Sequence, residues 1–423
     1  MSIAITNRVS FTRAFQSRSF TLLWSGQTIS ALGDGAFVTA LAWEVLLLTG
    51  SATAMGLVVI AQTLPMLLFL LIGGVTADRL PRRLVMLWSD GGRAVAVLLI
   101  AALGAAHLLQ LWHLVLLALF FGTVRGFFMP AYQSIIPQLV SKEHLASANS
   151  LTELSYQLYA SLGPLLGAAC VALTGSAGAF TFDGLTFLIS AACLVTLRLP
   201  STTLAQAPVS KAESRSGIRG VTADMREGLK YVAGSPFLWI TMLLGALSAV
   251  GGAGSLVVAL PKLVHDVYGQ GVWFLGIVSA AGGIGALIAI PLSASLGRMH
   301  KRGMMIYVVM MIASLGLILF GLPLPRFMMP FIACIGMVLV NLGLAIGSII
   351  WITLMQELVP EDKLGRVSSI DQLGAYGLWP VGFAIAGLVA DHFSPSLVFI
   401  GAGILNLALY GAALCKRDIR RVE

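Results

Sequence analysis

The chain has 423 residues, a formal net charge of +8, 58% hydrophobic residues and only 10% charged residues. Soluble proteins carry about 25% charged residues, so this composition excludes a soluble globular protein and indicates a membrane protein. The four cysteines stand at unrelated spacings within apolar segments, which excludes a disulfide framework and a metal-binding cysteine pattern.

Twelve apolar stretches follow one another along the chain, each near the ~17–25 residues that a tilted helix needs to cross a bilayer. We predict membrane-spanning helices at residues 20–47, 54–77, 84–105, 112–138, 147–173, 179–197, 237–260, 273–295, 304–322, 328–354, 367–390 and 396–414. Because this number is even, both termini are expected on the same side of the membrane.

The positive charges of the chain predict its orientation. Arg93 and Arg125 lie within spans, and only Lys262 and Arg326 fall in the loops on one side. All other lysines and arginines fall on the opposite side, which the positive-inside rule identifies as the cytoplasm. Both termini are therefore predicted to be cytoplasmic, and the net charge does not indicate nucleic-acid binding.

The two halves of the chain resemble each other at an offset of 219 residues. The segment 134–151 aligns with 352–370, and the same offset carries the basic residues at 79–83 onto those at 298–302. Two parallel six-span halves are typical of transporters that bind their substrate between the halves, near the midplane. The predicted fold is an all-α membrane protein of twelve transmembrane helices in two six-helix bundles. The predicted domains are residues 1–197, a cytoplasmic linker at 198–235, and residues 236–423.

The second part of the linker has the pattern of an amphipathic helix. Val221, Met225, Leu229 and Val232 fall on one helical face. This pattern fits a helix on the inner membrane surface, and it fits a simply solvated helix equally well.

A few ionisable side chains within the apolar spans mark a polar pathway, because a charge at bilayer depth costs at least ~2.5–3.5 kcal/mol. Asp34 lies about 14 residues into the first span, or ~21 Å, which is close to the midplane. We expect it to bind protons or substrate, although a structural hydrogen-bonding role is the alternative. Arg125 is similarly central and is expected to pair with Asp34 or another acid.

Other polar residues in the spans leave two interpretations open. Glu153 is either a proton relay or a partner for loop arginines, and Gln27 and Ser30 either line the pathway or join helices by hydrogen bonds. The same alternatives apply to Asn341, Gln356 and Gln372. Asp90 and Arg93 are predicted to form a structural pair near the cytoplasmic end. Glu44 and Asp183 are expected nearer the outer face, where contact with water is the main interpretation and a functional role is the alternative.

Other classes of membrane protein lack support in the sequence. The six histidines lie in or near loops without an H-E-x-x-H cluster, and no G-x-x-x-x-G-K-[ST] motif is present. These observations argue against an intramembrane enzyme and an ATP-driven pump. We expect no cofactor and no metal site.

The segment GGVTADRLPRR at 73–83 resembles the signature G-x-x-x-D-R-x-x-R-R of the major facilitator superfamily. The matching residues are Gly74, Asp78, Arg79, Arg82 and Arg83. A weaker copy at 293–302 lacks the glycine and the aspartate. The resemblance implies a conformational latch, which we extend to Asp90 and Arg93, with Asp371 or Glu357 as an acid that could pair with the loop.

Three further segments, FTLLWSGQTISALGD, FMPAYQSIIPQLV and TFDGLTFLISA, resemble the branch of bacterial macrolide and siderophore (enterobactin-type) exporters. SLGPLLGA matches the glycine-rich motif of drug antiporters at Gly163, Pro164 and Gly167 but has Ala168 in place of the last glycine. The glycine spacing after Arg125 also departs from the antiporter pattern.

The resemblance implies a monomeric, proton-coupled exporter of small hydrophobic drugs or related molecules in the bacterial plasma membrane. The alternative is an exporter of siderophores, lipids or metabolites on the same scaffold. The expected partners are a small hydrophobic substrate, protons and the lipid bilayer, with no nucleic acid. At the 219-residue offset, Asp34, Asp90, Arg93 and Arg125 correspond to apolar residues, so any ion coupling is predicted to belong to the N-terminal half.

Overall fold

A computed structural model describes residues 13–197, 218–296, 301–416 and 419, and the secondary structure of this part of the chain is helical throughout. The longer helices are α1 (Arg18–Thr49), α2 (Ala52–Arg79), α3 (Arg82–Ala105), α4 (Leu111–Leu139), α5 (Leu145–Thr196), α6 (Ile218–Gly234), α7 (Pro236–Ala253), α9 (Val272–Leu296), α10 (Arg302–Gly321), α11 (Met329–Leu358), α12 (Glu361–Gly377), α13 (Trp379–His392) and α14 (Pro395–Leu414). Between α7 and α9, two π-helical turns (Gly254–Ala259 and Leu263–Val267) flank the short α8 (Leu260–Lys262).

The helices account for the twelve predicted membrane crossings. Eleven continuous helical segments of the described residues are long and apolar enough to cross a membrane. One of them, α5, has 52 residues, which at 1.5 Å per residue is about 78 Å and more than twice the thickness of the hydrocarbon core. Its backbone leaves the helical region at Gly175 (φ 74°, ψ 174°), so α5 comprises the fifth and sixth spans. The predicted all-α membrane fold is confirmed.

Backbone contacts divide the chain into two compact units. Unit 1 comprises Met1–Leu41 and Ala61–Val209, and unit 2 comprises Ala42–Ile60 and Ser210–Glu423. The boundary therefore crosses α1 and α2, whose adjoining ends form a hairpin within unit 2. The assignment of 1–197 and 236–423 as separate bundles stays a prediction.

In unit 1, α3 packs along α5 and α4. A buried apolar cluster beside the start of α3 includes Phe20, Met86 and Ile135. Near the middle of α1, in the same unit, α5 crosses α1 at small residues. A Cβ on Gly163 would lie 2.7 Å from the Cα of Gly35, so only glycine permits this approach of the two backbones. The crossing fixes the backbone of α1 next to Asp34.

In unit 2, α11 packs against α9 and α10, and α10 packs against α14. The core of this unit includes Tyr307, Ile350 and Leu354. The predicted linker helix is present as α6: Val232 is buried, whereas Met225 and Leu229 are exposed. Its position on a membrane surface stays a prediction.

Candidate functional site

One face of α1 carries the polar side chains that the sequence singles out. Gln27, Ser30 and Asp34 are spaced by three and four residues and therefore share a helical face. Gln27 and Ser30 are buried, whereas the side chain of Asp34 keeps 18% of its surface exposed. Asp34 is thus the accessible member of a mostly buried row.

A buried ion pair on α3 faces this row. Asp90 is 0% exposed and Arg93 is 2% exposed. Arg93 Nη2 donates to Asp90 Oδ1 at 2.5 Å, while Asp90 Oδ2 accepts from Gln27 Nε2 at 3.2 Å and from Ser190 Oγ at 2.7 Å. Both oxygens of Asp90 are therefore saturated by donors, which is what an ionised carboxylate needs when it is removed from water.

Arg93 also reaches toward Asp34, but more loosely. Its Nη1 lies 3.6 Å from Asp34 Oδ2, which is an ion pair beyond hydrogen-bond distance. Asp34 Oδ1 and Arg93 Nε are buried without a hydrogen-bond partner among the described residues. Of the two carboxylates at this guanidinium, Asp90 is bound at hydrogen-bond distance and Asp34 is not.

Three phenylalanine rings surround the same guanidinium. The Cζ of Arg93 lies 4.3 Å from the ring centre of Phe187, 4.6 Å from that of Phe128 and 5.6 Å from that of Phe121. Cation–π contacts of this kind stabilise a charge that is shielded from water. These three aromatic side chains therefore stabilise the charge of Arg93 away from water.

The structure places the pair Asp90–Arg93 with Asp34 rather than beside the basic loop. The two residues lie eight and eleven positions beyond Arg82, or about 12–17 Å along α3, which brings them to the level of Asp34. Nothing in the spacing of the pair alone indicates its neighbours on α1. The network with Gln27 and Ser190 could not be read from sequence.

Asp183 is a member of this region that the sequence interpretation missed. Water contact was expected for it, and that expectation is wrong, because Asp183 is 0% exposed. It lies eight residues after the break at Gly175, on the part of α5 that packs against α1. A side chain on Gly33 would collide with Asp183 and Thr186, so glycine beside Asp34 makes room for the buried acid.

The other predicted pathway residues lie apart from the network. Arg125 is partly buried on α4 and makes no ion pair with a described residue, although its charge acts on Asp34. Glu153 lies on an exposed face of α5 and accepts a hydrogen bond from Gln157 at 3.0 Å. Glu44 is partly buried near the end of α1.

The residues of the predicted latch hold helix ends of their own unit. Arg82 Nη1 donates to the carbonyl of Ser134 at 2.9 Å, and Arg83 donates to the carbonyls of Leu194 and Val195. Cationic side chains at such positions complement the negative end of a helix. Outside the described residues lie the side chains of Asp78 and Arg79, residues 297–300 of the second-half copy at 293–302, and any contacts of Gly74.

The two acids proposed as partners of the loop have partners within unit 2. Glu357 accepts two hydrogen bonds from Arg302, at 2.9 and 2.7 Å. Asp371 accepts one from the indole nitrogen of Trp351 at 3.0 Å. Asp371 and Trp351 also line a cavity of about 230 Å³, with the apolar side chains of Met242, Met310 and Tyr410 among its walls.

Comparisons with known proteins agree with this architecture. The sequence profile of the Major Facilitator Superfamily matches residues 23–381. The chain is 26% identical over 421 residues to the multidrug efflux pump Tap of Mycolicibacterium fortuitum, covering 95% of this chain and 96% of that pump. It is 26% identical over 404 residues to the enterobactin exporter EntS of Escherichia coli O1:K1, covering 92% of this chain and 90% of that exporter.

A solved structure has the same fold. A bacterial homologue of the iron transporter ferroportin superposes with a TM-score of 0.72 at 17% sequence identity, over 93% of this chain and 98% of that protein. The resemblance inferred from the motifs is confirmed by these matches.

Proposed function

Since the chain belongs to the Major Facilitator Superfamily, and is therefore a multi-pass membrane transporter rather than an enzyme, we propose that it is a proton-coupled exporter. In this proposal, small hydrophobic compounds leave the cell by alternating access while protons enter. The observation that carries the proposal is the position of Asp34. It is a partly exposed carboxylate whose closest cation, Arg93, lies 3.6 Å away and is already bound by Asp90.

The network gives proton binding a consequence for structure. While Asp34 is ionised, the guanidinium of Arg93 interacts with two carboxylates on two different helices, α1 and α3. Protonation of Asp34 removes the weaker of these interactions and leaves the saturated pair with Asp90. The two protonation states therefore stabilise different relations between α1 and α3, which is what a coupled conformational change requires.

The hydrophobic character of the substrate is supported by the lining of the cavity in unit 2. The methionine side chains in its wall are adaptable and apolar. Asp371 is the carboxylate of the lining, and Thr241 and Ser348 add hydroxyl groups. The direction of transport rests on the similarity to Tap and EntS. The same similarity to EntS favours a siderophore as the second candidate substrate, and lipids or metabolites stay alternatives on the same scaffold.

Further parts of the proposal concern the setting of the site. We assign a latch role to the loop motif that includes Arg82 and Arg83, and a positioning role to the crossing at Gly163, Pro164 and Gly167. The protein is proposed to act as a monomer in the bacterial plasma membrane with both termini in the cytoplasm. Arg125, Glu153, Gln27 and Ser30 are proposed to contribute to the pathway.

The test is transport in proteoliposomes with an imposed pH gradient. We expect a fluorescent hydrophobic substrate to move against its concentration gradient in the wild type, and this movement to stop when an ionophore removes the pH gradient. Asp34→Asn keeps the shape of the side chain but cannot exchange protons, and should abolish the accumulation. Glu44→Gln, on the same helix but away from Arg93, is the matched control and should behave like the wild type.

Gradient-dependent accumulation by Asp34→Asn at the wild-type rate would eliminate Asp34 as the coupling residue. A parallel panel of drugs, siderophores and lysolipids distinguishes the two substrate candidates.

A further inference from the structure

Asp183 is buried in a manner that an ionised carboxylate rarely tolerates. Its side chain is 0% exposed, and Oδ2 is buried with no hydrogen-bond partner among the described residues. Oδ1 receives only a long contact of 3.4 Å from the hydroxyl of Thr186, which donates primarily to the backbone carbonyl of Asp183 at 2.7 Å. No cation lies within ion-pair distance in the described part of the chain.

The charged groups near Asp183 lie on neighbouring helices. Asp34 on α1 and Arg93 on α3 both act on it, Asp90 is bound to Arg93, and Arg125 on α4 acts on Asp34 without an ion pair to a described residue. Three carboxylates therefore surround the one guanidinium that forms ion pairs in this cluster, that of Arg93, and the cluster carries excess negative charge unless a carboxylate binds a proton. Asp90 is saturated by three donors and Asp34 is partly exposed, so the buried Asp183 is the member least able to stay ionised.

We propose that Asp183 holds a proton that lowers the negative charge of this cluster and exchanges it with Asp34 during the transport cycle. In the exchange, the O–H bond of the Asp183 carboxyl group breaks and an O–H bond forms on Asp34, with the total charge unchanged. The cluster thereby stores one proton behind the accessible acid. The role in coupling depends on the proposed function, whereas the protonated state of Asp183 does not.

Two measurements on Asp183→Asn test the proposal. Infrared difference spectroscopy of the purified protein near neutral pH should show a protonated carboxyl C=O band in the wild type and lose it in the variant. In proteoliposomes, gradient-driven accumulation should fall at least ten-fold, while substrate exchange at equal pH on both sides continues. Asp90→Asn is the matched variant, and it should leave the band intact but lower the unfolding temperature, because it removes an ionised partner of Arg93.

Persistence of the carboxyl band in Asp183→Asn would overturn the assignment even if transport is impaired. An unfolding temperature lowered as much as in Asp90→Asn would also overturn it, since it would identify Asp183 as an ionised structural partner. Failure of wild-type transport to respond to the pH gradient would instead refute the proposed function and leave the band as the test of protonation.

An independent observation concerns the hairpin of α1 and α2 in unit 2. The first turn of α2 is capped by Asp391, from the end of α13. Asp391 Oδ2 accepts from the hydroxyl of Ser51 at 2.6 Å and from the backbone N–H of Thr53 at 2.8 Å, while Oδ1 accepts from the N–H of Ala52 at 2.9 Å. A carboxylate about 340 residues away in sequence therefore performs the capping that a local side chain usually provides.

Lys262 completes the contact between the hairpin and the C-terminal helices. Its ammonium group donates to the carbonyl of Gly50 at 2.6 Å and lies 3.6 Å from Asp391 Oδ1 and 3.0 Å from Asp266 Oδ2. The backbones also touch, because a Cβ on Gly387 would lie 2.8 Å from the Cα of Thr53. The ionic contacts of Lys262 and Asp391, the N-terminal dipole of α2 and the close backbone packing are therefore all located at the first turn of α2.

We infer that Asp391, Lys262 and the first turn of α2 form a second latch, distinct from the loop motif at 73–83, which holds the hairpin of α1 and α2 against α13 within unit 2. Charge-assisted hydrogen bonds hold the turn in place.

Distance measurement between spin labels tests the latch. After replacement of the four native cysteines by serine, labels at Leu48→Cys and Leu397→Cys report the separation of the hairpin from α14. Asp391→Ala should add a longer-distance population that is absent without the substitution, and Asp391→Asn, which keeps an acceptor but no charge, should give a smaller one. Asp266→Ala is the matched control, because Asp266 contacts Lys262 but not α2, and should leave the distances unchanged.

An unchanged distance distribution in both Asp391 variants would overturn the latch. An equal shift in Asp266→Ala would also do so, because it would trace the effect to Lys262 and its local charge rather than to the cap.

Discussion

Equivalent positions of the two halves carry opposite chemistry. Asp90 and Arg93 form a buried ion pair in unit 1, whereas 219 residues later unit 2 has Val309, also buried, and Ile312. The same helical scaffold thus packs with apolar side chains at these positions. The charges in unit 1 are therefore not required by the helical scaffold, and their cost in the membrane supports the role proposed for them in transport.

The comparison is reversed at a second pair of positions. In unit 1, Tyr132 is on α4 and Thr152 is on α5. The equivalent residues of unit 2 are Trp351 on α11 and Asp371 on α12, which are joined by a hydrogen bond. At this pair of positions the charge is present only in unit 2. Each half therefore adds a carboxylate to its own place on a shared framework.

The largest effect on the difference between the two halves is expected from Arg93→Ala. The substitution removes the counter-charge of Asp90 and Asp34 and the cation among three phenylalanine rings. Loss of one partner from a buried ion pair costs about 3–5 kcal/mol, and we expect a large drop in the unfolding temperature of the detergent-purified protein. The equivalent Ile312→Ala in unit 2 removes only packing and should cost less. Equal losses would show that both positions serve packing alone.

A smaller effect is expected at the crossing of α1 and α5. Gly163→Ala places a methyl group 2.7 Å from the backbone of Gly35, and overpacking of this kind costs about 1–3 kcal/mol. The shift of α1 should also reduce gradient-driven transport, because Asp34 is the neighbour of Gly35. Gly401→Ala in unit 2, where a Cβ meets open space, is the control for both thermal stability and transport. A neutral Gly163→Ala would mean that the crossing is not tight.

The smallest effect is expected from a substitution of Asp371, the carboxylate that is present only in unit 2. Asp371→Asn keeps an acceptor for Trp351 but removes the charge from the cavity in unit 2. A partly exposed ion pair contributes up to about 1 kcal/mol, so transport of cationic compounds should fall by roughly five-fold or less, with no change for neutral compounds. Competition between a cationic and a neutral substrate of similar size measures this ratio. An equal decrease for both would show that the residue acts on structure.

The membrane class, the number of crossings and the superfamily could all be predicted from sequence, because hydropathy, loop charge and the motif at 73–83 are local signals. The depth of Asp34 in its span also indicated that this residue lies well inside the membrane-spanning part of the chain. The partners could not be predicted. Arg93 rather than Arg125 contacts Asp34, and Asp183 turns inward, because both depend on which helix faces lie together.

The role of Asp391 was beyond sequence reasoning for the same reason. Its position at the end of an apolar stretch resembles an ordinary water-exposed terminus, and the helix that it caps begins 339 residues earlier. The internal repeat predicted the arrangement in two halves but gave no information on these long-range contacts. A one-dimensional pattern identifies which segments are helices, whereas tertiary packing decides which side chains meet.

The single-residue break at Gly175 has a mechanical consequence. The fifth and sixth spans are joined there without intervening loop residues, so the two spans have little freedom to move independently. The fifth span rests on α1 through Gly163, and the sixth carries Asp183 and Ser190. A tilt of α1 that moves the fifth span is therefore transmitted through Gly175 to the sixth span, and so to the side chains that surround Arg93.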